Sequence, residues 1–523
     1  MRRPLGTIFG DTGALKFRFA VTAPDLLRQG DYIKVWHPTD GWVLSQVTSI
    51  RRSSDLSFDK AKSVGTFTEI EEKVVAEGVV IGSRDEEGLL KSPRTPFSPG
   101  DRVFPADRDL ILETIGLGKD GIYIGFLEGH DIKVMLDPNK FVQKHCSILA
   151  KTGSGKSYTA GVIVEELLDK GVPLLIIDPH GEYASLKSEN ESESDLKRMD
   201  EYGVMPESYL DQVMVYTPAN LAVAPHADAV FRFDGVNLDA RTLSLMVPSL
   251  TDTQLGLLYQ AIKALKEARD FYRIDDIIDE VGKFKSNARW AIIHTLELLK
   301  ETGLLSDSPT ALEELVKPRK ASIIDMKGVD PKLQEIIVSQ LASQLFDARK
   351  MGKIPPLMLV IEEAHNFCPE KGIGKAISSE ILRTIASEGR KFGLGLLVIS
   401  QRPARVDKNI LSQCNTQIIL KVTNPNDLKA LSKGLEGMST DLEEEIKRIP
   451  AGMALIVSND IEKPVLVDVR VRKTRHGGES SRIISTYPAS WEDYLDTLED
   501  EDEVVEEGRQ GMRFISRLFG RGA

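Results

Sequence analysis

Short, mostly apolar runs recur along this chain from Cys146 onward: Cys146–Leu149, Leu174–Ile177, Val213–Tyr216, Ser322–Asp325, Leu357–Ile361, Leu394–Ile399 and Gln417–Lys421. Runs of this length without polar alternation predict strands buried on both faces, which belong to parallel sheets covered by helices. The segments between them carry helical periodicity. Ser157 to Lys170 presents Val162, Ile163, Val164, Leu167 and Leu168 on one side and is closed by Lys170-Gly171 with Pro173 beyond. Thr253–Glu267, Ala288–Thr302 and Lys332–Lys350 are further amphipathic stretches, and Met453–Val457 with Val465–Val471 read as an edge hairpin. The first hundred or so residues differ. Asp31–Trp36, Trp42–Leu44 and Gly78–Ile81 are short strands broken by turns, and Gly100-Asp101-Arg102-Val103-Phe104 repeats the entry Gly30-Asp31-Tyr32-Ile33, a pattern expected of a small β-barrel. The expected organisation is a barrel at 1–115, an α/β core at 116–235 and 318–474, a helical insertion at 236–317 and a tail at 475–523. In that tail an acidic run from Glu499 to Glu507 precedes Arg509, Arg513, Arg517 and Arg521, interleaved with apolar residues, either a solvated end or a strap across a neighbouring copy.

Composition narrows the class. The 523 residues exceed one core, and 41% hydrophobic with 28% charged residues describes a soluble globular protein. With no apolar run of membrane-spanning length and no apolar signal core after Met1-Arg2-Arg3-Pro4, a cytoplasmic location is expected. Three distant cysteines, Cys146, Cys368 and Cys414, fit a reducing compartment and not a disulfide framework or a zinc site. A net charge of −12, from 79 acids against 67 bases, excludes a wholly basic nucleic-acid binder but not one that confines its bases to a pore.

The most informative stretch is Ala150 to Ser157, Ala-Lys-Thr-Gly-Ser-Gly-Lys-Ser, set between a predicted strand and a predicted helix. There, backbone N–H groups of Lys151, Thr152, Gly153, Ser154 and Gly155 can wrap the phosphates of ATP at the positive end of the helix dipole. Lys156 can reach the β/γ oxygens and Ser157 can offer its hydroxyl to Mg²⁺. Ala150 stands where the pattern usually has glycine. Glu362-Glu363-Ala364-His365 follows an apolar strand directly, where an NTPase needs one acid for the metal shell and one to activate water; Glu362 is assigned to the first role and Glu363 to the second, although the residue order alone allows the two to be exchanged. Gln401, at the end of the next strand, can bond the γ-phosphate. Asp178 and Glu182, in Asp178-Pro179-His180-Gly181-Glu182-Tyr183, are further candidates to support Mg²⁺ or water, whereas His180 lacks a second histidine at metal spacing. Arg390 is either a cation at a helix C-terminus or an arginine donated to a neighbour's γ-phosphate, with Arg383 in reserve. The loops after the core strands carry Lys371 and Lys375, then Arg402, Arg405 and Lys408, either ordinary exposed cations or, if the chain is a DNA motor, contacts that grip DNA phosphates without reading sequence.

These motifs, in order, resemble those of the HerA family of archaeal DNA translocases, within the HerA/FtsK group of RecA-like hexameric P-loop ATPases. The resemblance rests on residues 150–157, 178–183, 361–365, Glu388–Gly393 and Ser400–Pro403, and spans roughly residues 120–475. It implies a RecA-like ATPase core with an N-terminal barrel, an inserted helical bundle and a C-terminal extension. It further implies a homohexamer that hydrolyses ATP with Mg²⁺ to translocate or unwind duplex DNA at the nucleoid, and a NurA-type nuclease partner in double-strand-break resection for homologous recombination. Two other readings are an FtsK- or conjugation-type DNA pump, which would need a membrane anchor or a membrane-bound partner, and a nucleotide-dependent scaffold that does not translocate.

Overall fold

A computed structural model describes residues 3–54, 62, 72–218, 224–247, 250–434 and 440–478. The N-terminal strands are β1 (Gly6–Ile8), β2 (Lys16–Val21), β3 (Tyr32–His37), β4 (Gly41–Ser54), β5 (Glu72–Arg84), β6 (Leu90–Lys91) and β7 (Arg102–Pro105). They run β2-β1-β7-β3-β4-β5, and the pairing of β2 with β5 closes these six into a barrel, with β6 added to β5 outside the ring. Alternation fills it: Phe17 and Phe19 from β2, Ile33 and Val35 from β3 and Val103 from β7 point inward, while Trp36 and Trp42 stand on the outer wall. The repeated Gly-Asp entry has a geometric cause. Gly30 and Gly100 adopt φ of +95° and +100°, and in each turn the aspartate carboxylate, Asp31 or Asp101, accepts the N–H three residues back, from Arg28 at 2.7 Å and Ser98 at 2.8 Å.

The core sheet contains β8 (Ile122–Leu127), β9 (Lys133–Leu136), β10 (Cys146–Leu149), β11 (Leu174–Asp178), β12 (Val213–Thr217) and β13 (Ala229–Val230), then β16 (Ala321–Asp325), β17 (Leu357–Ile361), β18 (Leu394–Ser400), β19 (Thr416–Ile419), β20 (Met453–Ser458) and β21 (Val465–Val469); β14 (Phe233–Asp234) and β15 (Leu305–Ser306) form a small parallel pair. Its order is β13-β12-β16-β11-β17-β18-β10-β19-β20-β21-β8-β9, parallel as far as β19 and antiparallel beyond. The expected edge hairpin, β20 with β21, is therefore internal. The pair β8–β9 adds outside β21, and β9 forms the edge.

Apolar runs without alternation are explained by two covered faces. Leu175 and Ile177 of β11, Leu357, Leu359 and Ile361 of β17, and Leu394, Leu396 and Val398 of β18 belong to one cluster; their alternates Leu174, Ile176, Met358, Val360, Leu397 and Ile399 belong to another. The first cluster continues into the helices Ala240–Met246, Asp252–Ala268, Ile274–Gly282 and Arg289–Glu301, inserted between the adjacent strands β12 and β16, so these helices share the core of the sheet. The second is covered by the helix Lys156–Asp169, and receives Ile111, Leu112 and Ile115 of the helix Arg108–Ile115. The acidic run and the arginines from Arg509 lie outside the described residues.

Candidate active site

Parallel strands deliver their carboxyl ends to one side of a sheet, and here β10, β11, β17 and β18 end together in Ala150, Asp178, Glu362 and Gln401. After β10 the loop turns on Gly153 and Gly155, with φ of +75° and +93°, and Gly155 is the N-cap of the helix that begins at Lys156. Ala150 is fully buried, its N–H donates to the Ser400 carbonyl at 3.2 Å, and it avoids positive φ, so the usual glycine is not required here. Lys151, Thr152 and Gly153 are exposed, Ser154 is buried, and Lys156 and Ser157 are half-buried at the first turn of the helix.

Lys156 Nζ bonds both acids, Glu362 Oε1 and, at 2.8 Å, Glu363 Oε1. Strand β18 lies between β10 and β17, and it brings Gln401 to the same point. The Gln401 Nε2 donates to Glu363 Oε1 at 2.9 Å, while its Oε1 accepts the Thr152 hydroxyl. Glu363 itself occupies the left-handed region, φ 49° and ψ 44°, a conformation costing a non-glycine residue about 1–3 kcal/mol. The turn aims its carboxylate back at Lys156. Its Oε2 is buried, 3.2 Å from His365 Nδ1 but not aligned for a hydrogen bond, and is otherwise unpartnered. Burial pushes the Glu362 carboxyl up to about 7 despite the pull of Lys156. Burial likewise draws Lys156 down, but the two acids outweigh it and hold the ammonium above its ordinary value.

The donor set suits Mg²⁺. The acceptors around Lys156 are carboxylate oxygens, and Ser157, the next residue in the first turn of the same helix, carries a hydroxyl. Mg²⁺ is held in just this sparse way, by one or two protein oxygens with water and phosphate oxygens completing the shell. The ion would supply charge neutralisation between the β- and γ-phosphates, with Ser157 and Glu362 holding it directly or through water.

Asp178, a candidate to support Mg²⁺ or water, has both carboxylate oxygens engaged by its own turn. Fully buried, it accepts the backbone N–H groups of His180 at 3.2 Å, Gly181 at 2.9 Å and Tyr183 at 2.9 Å, and so builds its own turn. Burial, with Asp325 adding to it, raises its carboxyl to about 6. The turn carries Tyr183, whose buried hydroxyl donates to Glu362 Oε2 at 2.9 Å, a contact between residues 179 positions apart that no local pattern announces.

The arginines separate clearly. Arg383 is held by buried Asp407 at 2.6 Å. Arg390 is exposed and precedes β18, at the opposite end of that strand from Gln401, so it stands away from the phosphate loop of its own chain. Among the candidate DNA contacts, Arg402 and Arg405 line a cleft of about 670 Å³ together with Lys151, Thr152 and Gln401, and Lys371 and Lys375 flank the exposed Ile373. Lys408 is tied to Glu370 at 2.6 Å, which removes it from the free cations of this surface.

Phosphate loop, acid pair and intervening glutamine on a parallel sheet define a P-loop ATPase with a RecA-like core. Residues 122–345 match the model of the helicase HerA central domain. A probable helicase of Methanocaldococcus jannaschii is 28% identical over 97% of this chain and 98% of its own length. The DNA double-strand break repair helicase HerA of Pyrococcus furiosus is 28% identical over 93% of this chain and 97% of its own. Among solved structures, VirB4 of Thermoanaerobacter pseudethanolicus shares the fold, with 18% identity and a TM-score of 0.51 over 67% of this chain and 96% of that one. No helix among the described residues is long and apolar enough to cross a membrane.

Proposed function

We propose that this protein is an ATP-dependent DNA translocase or helicase that works as a ring of six copies and, with a NurA-type nuclease, resects double-strand breaks for homologous recombination. The observation that carries the reading is the convergence of Lys156, Glu362, Glu363 and Gln401 at one sheet edge while Arg390 stands exposed at the other end of β18. One chain thus holds most of a hydrolytic site and offers the missing cation to a different copy. ATP would enter by displacing Lys156 from the two acids, with Ser157 and Glu362 holding Mg²⁺. Glu363, released from Lys156 and already aimed by its strained turn, would accept a proton from the attacking water. Gln401 would pass the loss of γ-phosphate to the loop bearing Arg402 and Arg405. Arg402, Arg405, Lys371 and Lys375 suit sequence-independent contact with DNA phosphates, since each is exposed and none is held by a carboxylate among the described residues.

For the nuclease, the barrel wall offers Trp36, 54% exposed, and Trp42, 37% exposed, in edge contact at 5.3 Å with Lys34 over the Trp42 ring, the side-chain types that anchor protein interfaces. ATP turnover with and without linear duplex DNA, recorded with mass in solution, tests the whole reading. DNA-stimulated turnover by an oligomer, lost in Lys156→Ala and in Glu363→Gln, is expected. A monomer whose turnover ignores DNA would refute it.

A further inference from the structure

The turn 178–183 is held by its own hydrogen bonds and by a glycine that packs against a buried acid. Asp178 collects three backbone N–H groups, and Gly181 has φ +75°, with both carboxylate oxygens of Asp325 3.3 Å from where a Cβ would stand, so a side chain there would meet strain and a buried acid together. Its product is the placement of one hydroxyl. Tyr183 is 2% exposed, and its hydroxyl donates to Glu362 Oε2, while Lys156 bonds the other oxygen. A terminal carboxylate torsion is broad and roughly two-fold, so without a second contact the plane of Glu362 would be set by Lys156 alone. That contact is lost once Lys156 moves to the phosphates of ATP. Only Tyr183 then remains, of the two, to hold the carboxylate.

We infer that Tyr183 is a positioning residue for the hydrolytic site: it fixes the plane of Glu362 after Lys156 has left, so that the free carboxylate oxygen faces Mg²⁺ and its waters, and Asp178 acts on the same site only through the turn that carries Tyr183. This inference rests on the reading of Glu362 as the metal-shell acid. It also reassigns the Asp-Pro-His-Gly-Glu-Tyr segment from metal binding to geometry.

The test uses the full chain and a fluorescent ATP analogue titrated with MgCl₂. Tyr183→Phe keeps the ring and its packing and removes one hydroxyl. The expected result is nucleotide affinity without Mg²⁺ within a few-fold of the parent, a Mg²⁺ half-saturation raised about 10–100-fold, the range seen when a group supporting a metal ligand is lost, and an unchanged melting temperature. Asp178→Asn, which weakens the turn, is expected to move the same Mg²⁺ titration in the same direction. A parental Mg²⁺ titration in Tyr183→Phe overturns the inference, as does an equal loss of affinity with and without Mg²⁺, which a merely structural role would produce. Glu362→Gln separates the two readings. If that variant hydrolyses ATP and responds to Mg²⁺ like the parent, the assignment of the metal-shell acid fails; if it does not and Tyr183→Phe is unaffected, only the role of Tyr183 fails.

Discussion

Gln401 and Glu363 share a hydrogen bond of 2.9 Å, from the amide Nε2 to the carboxylate Oε1, on the same oxygen that receives Lys156 at 2.8 Å. A side-chain amide has one donor end and one acceptor end, and Thr152 fixes which is which by donating to Gln401 Oε1. A bound γ-phosphate would therefore have to compete for Lys156 and would meet the Gln401 donor already oriented. Gln401→Leu is expected to lower the rate constant for ATP hydrolysis by about 10²-fold while nucleotide affinity changes only a few-fold, because the amide serves the reacting phosphoryl group more than the bound ground state. Steady-state turnover beside fluorescent-nucleotide binding checks it. A variant that binds weakly but turns over normally at saturation would show that Gln401 serves binding alone.

Strand β18 sets the reach of Arg390. Its seven residues extend about 23 Å at the usual rise, and Arg390 precedes its start while Gln401 follows its end. Any γ-phosphate that this guanidinium reaches would therefore lie on another copy. Arg390→Ala is expected to reduce turnover by about 10³-fold or more, as loss of a catalytic arginine does in phosphoryl transfer. Mixing Arg390→Ala chains with Lys156→Ala chains is expected to restore part of the activity, since one interface in such a ring joins an intact lysine to an intact arginine. Mixtures no more active than either parent would place Arg390 outside the reaction.

A buried ionic cluster ties the helix of the phosphate loop to the strand that leaves the core. Arg470, fully buried, donates to Glu165 Oε2 and Glu166 Oε1, both at 2.9 Å, and Glu165 also accepts the Thr474 backbone N–H at 3.0 Å. Burial opposes the charge of Glu165, yet Arg470 and Arg472 hold its carboxyl below the ordinary range. Arg470→Met leaves buried Glu166 without its cation and Glu165 with Arg472 alone, and breaking a buried pair in this way costs about 3–5 kcal/mol. Chemical denaturation is expected to show that loss, and adding Glu165→Gln and Glu166→Gln to return part of it. A midpoint unmoved by Arg470→Met would mean that the cluster is open to water.

What could be read from the residue order follows from the range of the interactions. The phosphate loop, the acids at Glu362 and Glu363 and the strand Leu357–Ile361 are local patterns, and the strand occupies those same residues. The closing pair β2–β5, the internal place of β20–β21 and the bond from Tyr183 to Glu362 depend on chain segments meeting across long separations, which no window of neighbouring residues contains. Lys408 illustrates the limit. As a basic residue on a loop it resembles Arg405, and only the folded chain brings Glu370 to it. Asp178 shows a related limit, because an acid at a strand end can serve a metal or its own following amides, and the bonds to those amides depend on the backbone of 179–183.

His145 offers a pH-dependent reading of the same architecture. It lies just before β10 with φ 53°, is 2% exposed, and accepts the Leu396 N–H on Nδ1 at 3.0 Å, which requires that nitrogen unprotonated. Burial lowers its pKa to about 4, the nearby Arg390 acting in the same direction against a bond from Ala386. A histidine depressed in the folded state is protonated first in the unfolded chain. Its contribution to stability is therefore complete above an unfolded value of about 6.5 and is lost as pH falls from there through about 4, up to about 3 kcal/mol. His145→Asn, a residue that tolerates the left-handed region and still offers an acceptor, is expected to flatten the fall in melting temperature between pH 7 and pH 4.5 relative to the parent protein. Parallel pH curves for the two proteins would show that other groups govern acid unfolding.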